Sequence, residues 1–160
     1  MSVSTAPALR AARAAAAVGY GPLEHQLAFH LRLAQEASFA AFARRTGQAA
    51  LRPGRFAILT IIGDRPGISQ TALGVAAGRD KSTLTPALTD LERRGFVRRE
   101  RPLRDRRSYA LHLTEAGAAM LDTLRGHAAA HDAAMDALLT KRDRAALLGL
   151  LRRITVGLAA

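Results

Sequence analysis

The sequence predicts a mainly helical fold with a small β-hairpin, and three observations predict it. Apolar residues recur at spacings of three and four along most of the chain, two short central helices carry clear caps, and an arginine-rich turn joins two brief apolar alternations. At 160 residues and 49% hydrophobic content, the chain fits one domain that buries roughly two-thirds of its unfolded surface.

Charge narrows the function. Lys and Arg number 24 against 13 Asp and Glu, a formal net charge of +11 and a pI of about 11.6, so the chain seeks a polyanion. No run approaches the ~20 apolar residues that span a bilayer, and nucleic acid rather than membrane is the expected partner. The absence of cysteine removes disulfides, thiol redox sensing and cysteine-ligated metal, and fits a cytoplasmic protein. Residues 1–21 contain Arg10 and Arg13 in an alanine-rich run too weakly apolar for a secretion signal. They read as a flexible tail before a single domain over 22–160.

The first element follows Gly21-Pro22, because proline tolerates the first helical turn. Leu23, Leu27, Leu31, Ala34, Ser38 and Ala41 form its stripe, and it ends near Gly47. A second helix starts around Pro53, places Phe56, Leu59 and Ile62 on one face, and stops at the turn Gly63-Asp64-Arg65-Pro66-Gly67. Next, Ser69 is positioned as an N-cap, with Ile68 and Leu73 as a hydrophobic staple, and the short helix ends at Gly78. Asp80 caps the following helix, whose stripe of Leu84, Leu88 and Leu91 runs to Gly95. Two capped helices joined by about four residues are a helix-turn-helix, in which the second helix enters the DNA major groove.

A helical wheel turns Leu84, Ala87, Leu88 and Leu91 inward and Ser82, Pro86, Thr89 and Arg93 outward, with Thr85 beside them. This small, hydroxylated face suits close approach to base edges. Phe96, Val97, Tyr109, Leu111 and Leu113 then mark two strands linked by Pro102 to Arg107, a wing. From Arg93 to Arg107 eight arginines face two acidic residues, Glu100 and Asp105, a local net +6 out of the total +11. An arginine-tipped hairpin can track the phosphate backbone and enter the minor groove. The predicted DNA-binding set is therefore Ser69 and Gln70 on the first helix, Lys81, Ser82, Thr83, Thr85, Pro86, Thr89, Arg93 and Arg94 on the second, and Arg104, Arg106 and Arg107 on the wing.

After Thr114, an N-cap, Leu121, Leu124, Ala128, His131, Met135 and Leu138 form a heptad-like seam. Thr140 to Asp143 resembles a capping box, and Leu147, Leu151, Ile154 and Leu158 repeat the pattern. Neither seam has an obvious partner in a small winged core, so a twofold dimer through the helices at about 22–47 and 115–158 is expected around a core at about 53–114.

The order of parts, with LRPGRFAILTII, ISQTALGVAAGRDKSTLTPALTDLERRGFVRR, DRRSYALHLTEAG and LLTKRDRAALLGLL, resembles the MarR family of winged helix-turn-helix transcriptional regulators. The resemblance covers roughly Leu23 to Leu158 and implies a homodimer on a pseudo-palindromic operator, released by a small effector. It further implies that Asp105 braces the wing by pairing with an arginine, that Arg107 occupies the tip, and that Phe29, His30 and Phe56 line an effector site. Pro86 departs from the pattern, since many relatives carry a polar residue there. Its missing backbone donor predicts a kink or a tightened first turn. The string RDKSTLTPALTDLERRG is also similar to regulators of aromatic-acid or hydroxycinnamate catabolism, some of which sense a coenzyme A thioester.

Two rival classes find less support. An enzyme would want a nucleophile, a phosphate loop or a metal pair, and the chain has no cysteine, no Gly-rich phosphate loop and no HExxH. His127 and His131 lie one helical turn apart, but His131 falls on the apolar seam, and no metal or cofactor is expected. An architectural DNA-binding protein would share the arginines yet lack sequence preference.

Overall fold

The structure, a computed structural model, describes residues 19–46, 53–101 and 109–158. Backbone contacts divide the chain into two compact units, residues 1–57 and 58–160.

In the first unit a 3-10 turn over Gly21–Leu23 precedes helix α1, Leu27–Thr46. The sequence predicts one helix from Pro22, and the difference has a local cause. The His30 ring Nε2 bonds the Glu24 carbonyl at 2.7 Å, the carbonyl that a continuous helix would pair with the N–H four residues on. The Glu24 carboxylate meanwhile accepts from the Tyr20 N–H at 3.3 Å. At the far end of α1 the Thr46 hydroxyl turns back on the Phe42 and Ala43 carbonyls. Phe42 is buried, its ring centroid 6.1 Å from that of Phe56. Helix α2, Pro53–Asp64, starts at the predicted proline and continues into the second unit, where Ile58, Leu59 and Ile62 are fully buried.

The second unit continues with β1 (Ile68–Ser69), α3 (Gln70–Ala77), α4 (Lys81–Arg93), β2 (Val97–Glu100), β3 (Ala110–Leu113), α5 (Glu115–Asp136) and α6 (Lys141–Leu158). Its core joins Leu73, Leu84, Leu88 and Leu91 from the paired helices to Val97 and Leu111 from the sheet and Leu121 and Leu124 from α5. The sheet has the order β1-β3-β2 and is antiparallel throughout. In the hairpin Val97 faces Leu113 and Glu100 faces Ala110. The third strand, β1, is absent from the sequence prediction. Ile68 and Ser69, read there as staple and cap, pair with Leu111 and Ala110. Ser69 also caps α3 as expected, accepting from the Ala72 N–H at 3.2 Å.

The exit of α4 and the start of α5 meet at Thr114. Gly95 leaves α4 at a φ of +73°, a left-handed turn that glycine makes at little cost. The Thr114 hydroxyl donates to the Gly95 carbonyl at 2.5 Å and accepts the Gly117 N–H at 2.9 Å, while its own N–H donates to the Phe96 carbonyl at 3.1 Å. A Cβ on Gly117 would lie 1.9 Å from that Phe96 oxygen, which accounts for the glycine after Leu-Thr-Glu-Ala.

Arg144 ties α6 to α5, reaching Asp136 at 2.5 Å and Asp132 at 3.0 Å. These two carboxylates, Asp136 foremost, raise the guanidinium pKa further above its ordinary value. The Thr140–Asp143 box is half formed. Asp143 N–H donates to the Thr140 hydroxyl at 3.2 Å, but the returning bond runs from that hydroxyl to the Asp143 carboxylate, because aspartate is a methylene short of the glutamate that would reach the backbone. The predicted seams are covered only in part. Leu121, Leu124 and His131 are buried, whereas Leu138 is 81% exposed, Leu147 43% and Leu158 84%.

Candidate nucleic-acid interface

Three residues, Gly78 to Asp80, separate α3 from α4. Gly78 takes a φ of +59°, its N–H returns to the Gly74 and Val75 carbonyls, and the Arg79 N–H bonds the Gly74 carbonyl at 2.9 Å. Asp80 then opens α4 as predicted. Its Oδ1 accepts the Thr83 N–H and the Ser82 hydroxyl, both at 2.7 Å. These bonds, the Ser82 hydroxyl first, hold the Asp80 carboxyl below its ordinary pKa.

The structure places the α4 side chains as the wheel does. Leu84, Leu88 and Leu91 are buried, Ala87 half-buried, and Lys81, Ser82, Thr83, Pro86, Thr89 and Arg93 exposed. Thr85 is half-buried, its Oγ1 accepting a hydrogen bond from Gln70 Nε2 at 2.9 Å. Helix α4 runs through Pro86 unbroken, so the expected kink or tightened turn does not end it. The missing donor falls opposite the Ser82 carbonyl on the exposed face, where water can take its place.

Around the first turns of α3 and α4 lies an open groove of about 530 Å³, lined by Gln70, Val75, Arg79, Lys81, Leu84 and Tyr109 among others. Tyr109 bounds it from the root of the wing. There the Arg101 guanidinium donates to the Tyr109 hydroxyl at 2.7 Å from Nη2 and 3.2 Å from Nε, and stacks 5.2 Å from the ring centroid.

The arginines near the helix exit are less free than their count suggests. Asp90 takes Arg93 at 2.6 Å and Arg94 at 3.3 Å. Glu92 takes Arg99 at 2.6 Å, and Glu100 is shared by Arg98 and His112 across the hairpin. A count that starts at Arg93 passes over Asp90 and Glu92, which stand just before it. Their spacing of three and four from Arg93 and Arg94 is the signal that would have revealed the Asp90 pairs. Arg104, Asp105, Arg106 and Arg107 lie outside the described residues.

The three residues proposed for an effector form two groups within the first unit. Phe29 and His30 cluster with Tyr20, ring centroids 5.1 to 5.9 Å apart, and Arg32 stacks over Phe29 at 5.2 Å. Phe56 instead packs on Phe42, 13 residues along α1 from Phe29, or about 20 Å at 1.5 Å per residue. Among the described residues no group of three His, Cys, Asp or Glu side chains could hold a metal ion, and no helix is long and apolar enough to cross a membrane.

The MarR family model matches residues 51–109, from just before α2 to just before β3. A putative transcriptional regulatory protein for the hcr operon of Thauera aromatica is 36% identical over 136 residues, 84% of this chain and 82% of that protein. This chain belongs to the MarR family. It is accordingly a DNA-binding transcriptional regulator and not an enzyme. Among solved MarR-type structures, the repressor CouR bound to a 23-mer DNA duplex is 32% identical with a TM-score of 0.78, over 85% of this chain and 96% of that one. CouR bound to p-coumaroyl-CoA is 30% identical with a TM-score of 0.78, over 86% and 96%. The PcaV regulator of Streptomyces coelicolor with its natural ligand is 25% identical with a TM-score of 0.79, over 85% and 96%. In MarR-family terms α3 and α4 are the helix-turn-helix and β2–β3 the stem of the wing.

Proposed function

We propose that this MarR-family regulator is a homodimeric, cytoplasmic repressor that binds a pseudo-palindromic operator and is released by a small aromatic acid or its coenzyme A thioester. The observation that carries the reading is α4, which presents Ser82, Pro86 and Thr89 to solvent opposite a fully buried leucine stripe, between a capped start and an arginine-bearing exit. Such a helix can lie in a major groove while arginines on either side hold phosphate. The apolar residues left uncovered on α6 support a dimer, because they lack cover in the single chain. Repression and release by an aromatic effector draw support from CouR, solved on DNA and with p-coumaroyl-CoA.

In this reading Ser69, Gln70, Lys81, Ser82, Thr83, Thr85, Pro86 and Thr89 face the groove, Arg93 and Arg94 meet phosphate, and Arg104, Arg106 and Arg107 on the wing track the backbone and enter the minor groove. Phe29, His30 and Phe56 contribute to effector binding. The test is selection of bound duplexes from a randomised pool, followed by competition against random DNA with and without a panel of hydroxycinnamates and their coenzyme A thioesters. A palindromic site preferred by ~1,000-fold or more, and lost on adding one panel member, is the expected result. Binding without sequence preference would mean an architectural role instead.

A further inference from the structure

A serine or threonine hydroxyl donates one hydrogen bond and accepts through two lone pairs, so by itself it does not separate a base edge that donates from one that accepts. In α4 neighbouring side chains reduce that ambiguity, in opposite senses for two residues. Thr85 Oγ1 accepts from Gln70 Nε2 at 2.9 Å, across 15 residues of sequence. One of its two lone pairs is taken from inside the protein, and its proton remains for an acceptor outside. Ser82 is the reverse case. Its hydroxyl donates to Asp80 Oδ1 at 2.7 Å, which uses the proton and leaves the lone pairs facing out. Asp80 is itself held, because the same oxygen caps α4 through the Thr83 N–H. An ionised carboxylate only accepts, so Ser82 has no other way to bond it.

Given that α4 is the helix in the major groove, as proposed above, we infer that Gln70 and Asp80 are specificity-determining positioning residues that set the hydrogen-bond polarity of Thr85 and Ser82. Thr85 then donates to a base acceptor (guanine O6 or N7, adenine N7 or thymine O4), which cytosine lacks in the major groove, and Ser82 reads an amino base, through cytosine N4 or adenine N6. The two hydroxyls lie three residues apart on one helix, about 4.5 Å along its axis, which is close to the ~3.4 Å step between base pairs. They address neighbouring positions of a half-site.

The experiment is selection of bound duplexes from a randomised pool by the full-length protein and its variants, with sequencing of what is retained. The wild type should exclude cytosine at the Thr85 position and enrich an amino base at the neighbouring Ser82 position of each half-site. Gln70→Glu supplies a carboxylate that takes the Thr85 proton, so the Thr85 column should turn to cytosine or adenine while the Ser82 column stays. Gln70→Met should flatten the Thr85 column, by roughly fivefold or more in base preference, without inverting it. Asp80→Asn should flatten the amino column alone, since an amide can donate as well as accept. Thermal melts check that each variant folds. Glutamate in the first turn of α3 is favoured by the helix dipole, and Gln70→Met carries the test if Gln70→Glu does not fold. If the Gln70 variants bind more weakly but keep the wild-type columns, Gln70 sets no polarity and the inference fails. It fails equally if Thr85→Val leaves every column unchanged. A wild type that enriches no motif at all would overturn the operator-reading function itself, an outcome distinct from an intact motif indifferent to Gln70.

Discussion

Arg93 Nη2 lies 2.6 Å from Asp90 Oδ1, and Arg94 Nε lies 3.3 Å from the other oxygen of the same carboxylate, which is only 12% exposed. One acid thus restrains two of the cations assigned to phosphate. Asp90→Asn should raise affinity for random DNA at low salt and steepen the salt dependence by about one unit, because a local negative charge is removed. Arg94→Ala should weaken binding to all sequences alike and flatten that slope by about one unit. Fluorescence anisotropy across a salt series measures both. Weaker binding by Asp90→Asn at every salt concentration would mean that the acid aims the arginines rather than screening them.

Gly117 and Gly126 make a controlled pair on α5. A Cβ at Gly117 meets the Phe96 carbonyl oxygen at 1.9 Å, whereas one at Gly126 meets nothing within 4 Å. Gly117→Ala should cost about 2 kcal/mol or more, since backbone rather than a flexible side chain has to move. Gly126→Ala should gain about 0.5–1 kcal/mol from helix propensity. Urea denaturation at fixed protein concentration resolves the two signs.

Asp80 links the start of α4 to acidity. Its carboxyl pKa is depressed in the folded state, first by the Ser82 hydroxyl and then by the Thr83 N–H. The contribution is therefore complete above the unfolded-state value of about 4 and is lost as pH falls through the lower folded-state value. Asp80→Ala should lower the melting temperature at pH 7, and the gap to wild type should close toward pH 2. A gap that persists in acid would assign the loss to packing instead of to the charged cap.

Leu150 on α6 is 50% exposed, in register with Leu147 and Ile154. If a second copy covers this face, Leu150→Glu should shift the sedimenting species from dimer to monomer and remove cooperative operator binding with little change in helix content. A sedimentation profile indistinguishable from wild type would place the dimer contact elsewhere.

Arg107→Ala and Asp105→Ala carry opposite charge changes and are expected to act in the same direction, both weakening operator binding. A wing arginine held in place by a short carboxylate avoids the ordering cost of on the order of 1 to 2 kcal/mol per flexible residue. If Asp105→Ala instead tightens binding at low salt, the wing acts as a diffuse positive patch.

The parts legible in the sequence are those set by neighbours a few residues away. The caps Ser69, Asp80 and Thr114, the leucine stripe of α4 and the left-handed exits at Gly78 and Gly95 all appear where local chemistry puts them. What was not legible depends on residues distant along the chain. Ile68 and Ser69 form a strand only because Leu111 and Ala110 come alongside, and two residues carry no periodicity of their own. Gln70 meets Thr85 only once Gly78 has turned the chain. The Asp90 pairs are an exception, because their spacing of three and four is local and stands in the sequence.

Thr114 gives α4 and α5 a common pivot. One hydroxyl touches Gly95, just past the end of the first, and the first turn of the second, and Gly117 lets the Phe96 carbonyl sit flush against the joint. The arm attached to that pivot is α5, 22 residues or about 33 Å long. A lateral displacement at the far end of such an arm corresponds to only a small rotation at its near end, where the Thr114 bonds link it to the exit of α4. Substitutions that tilt α5 should therefore change DNA binding while helix content, read by circular dichroism, stays as in the wild type.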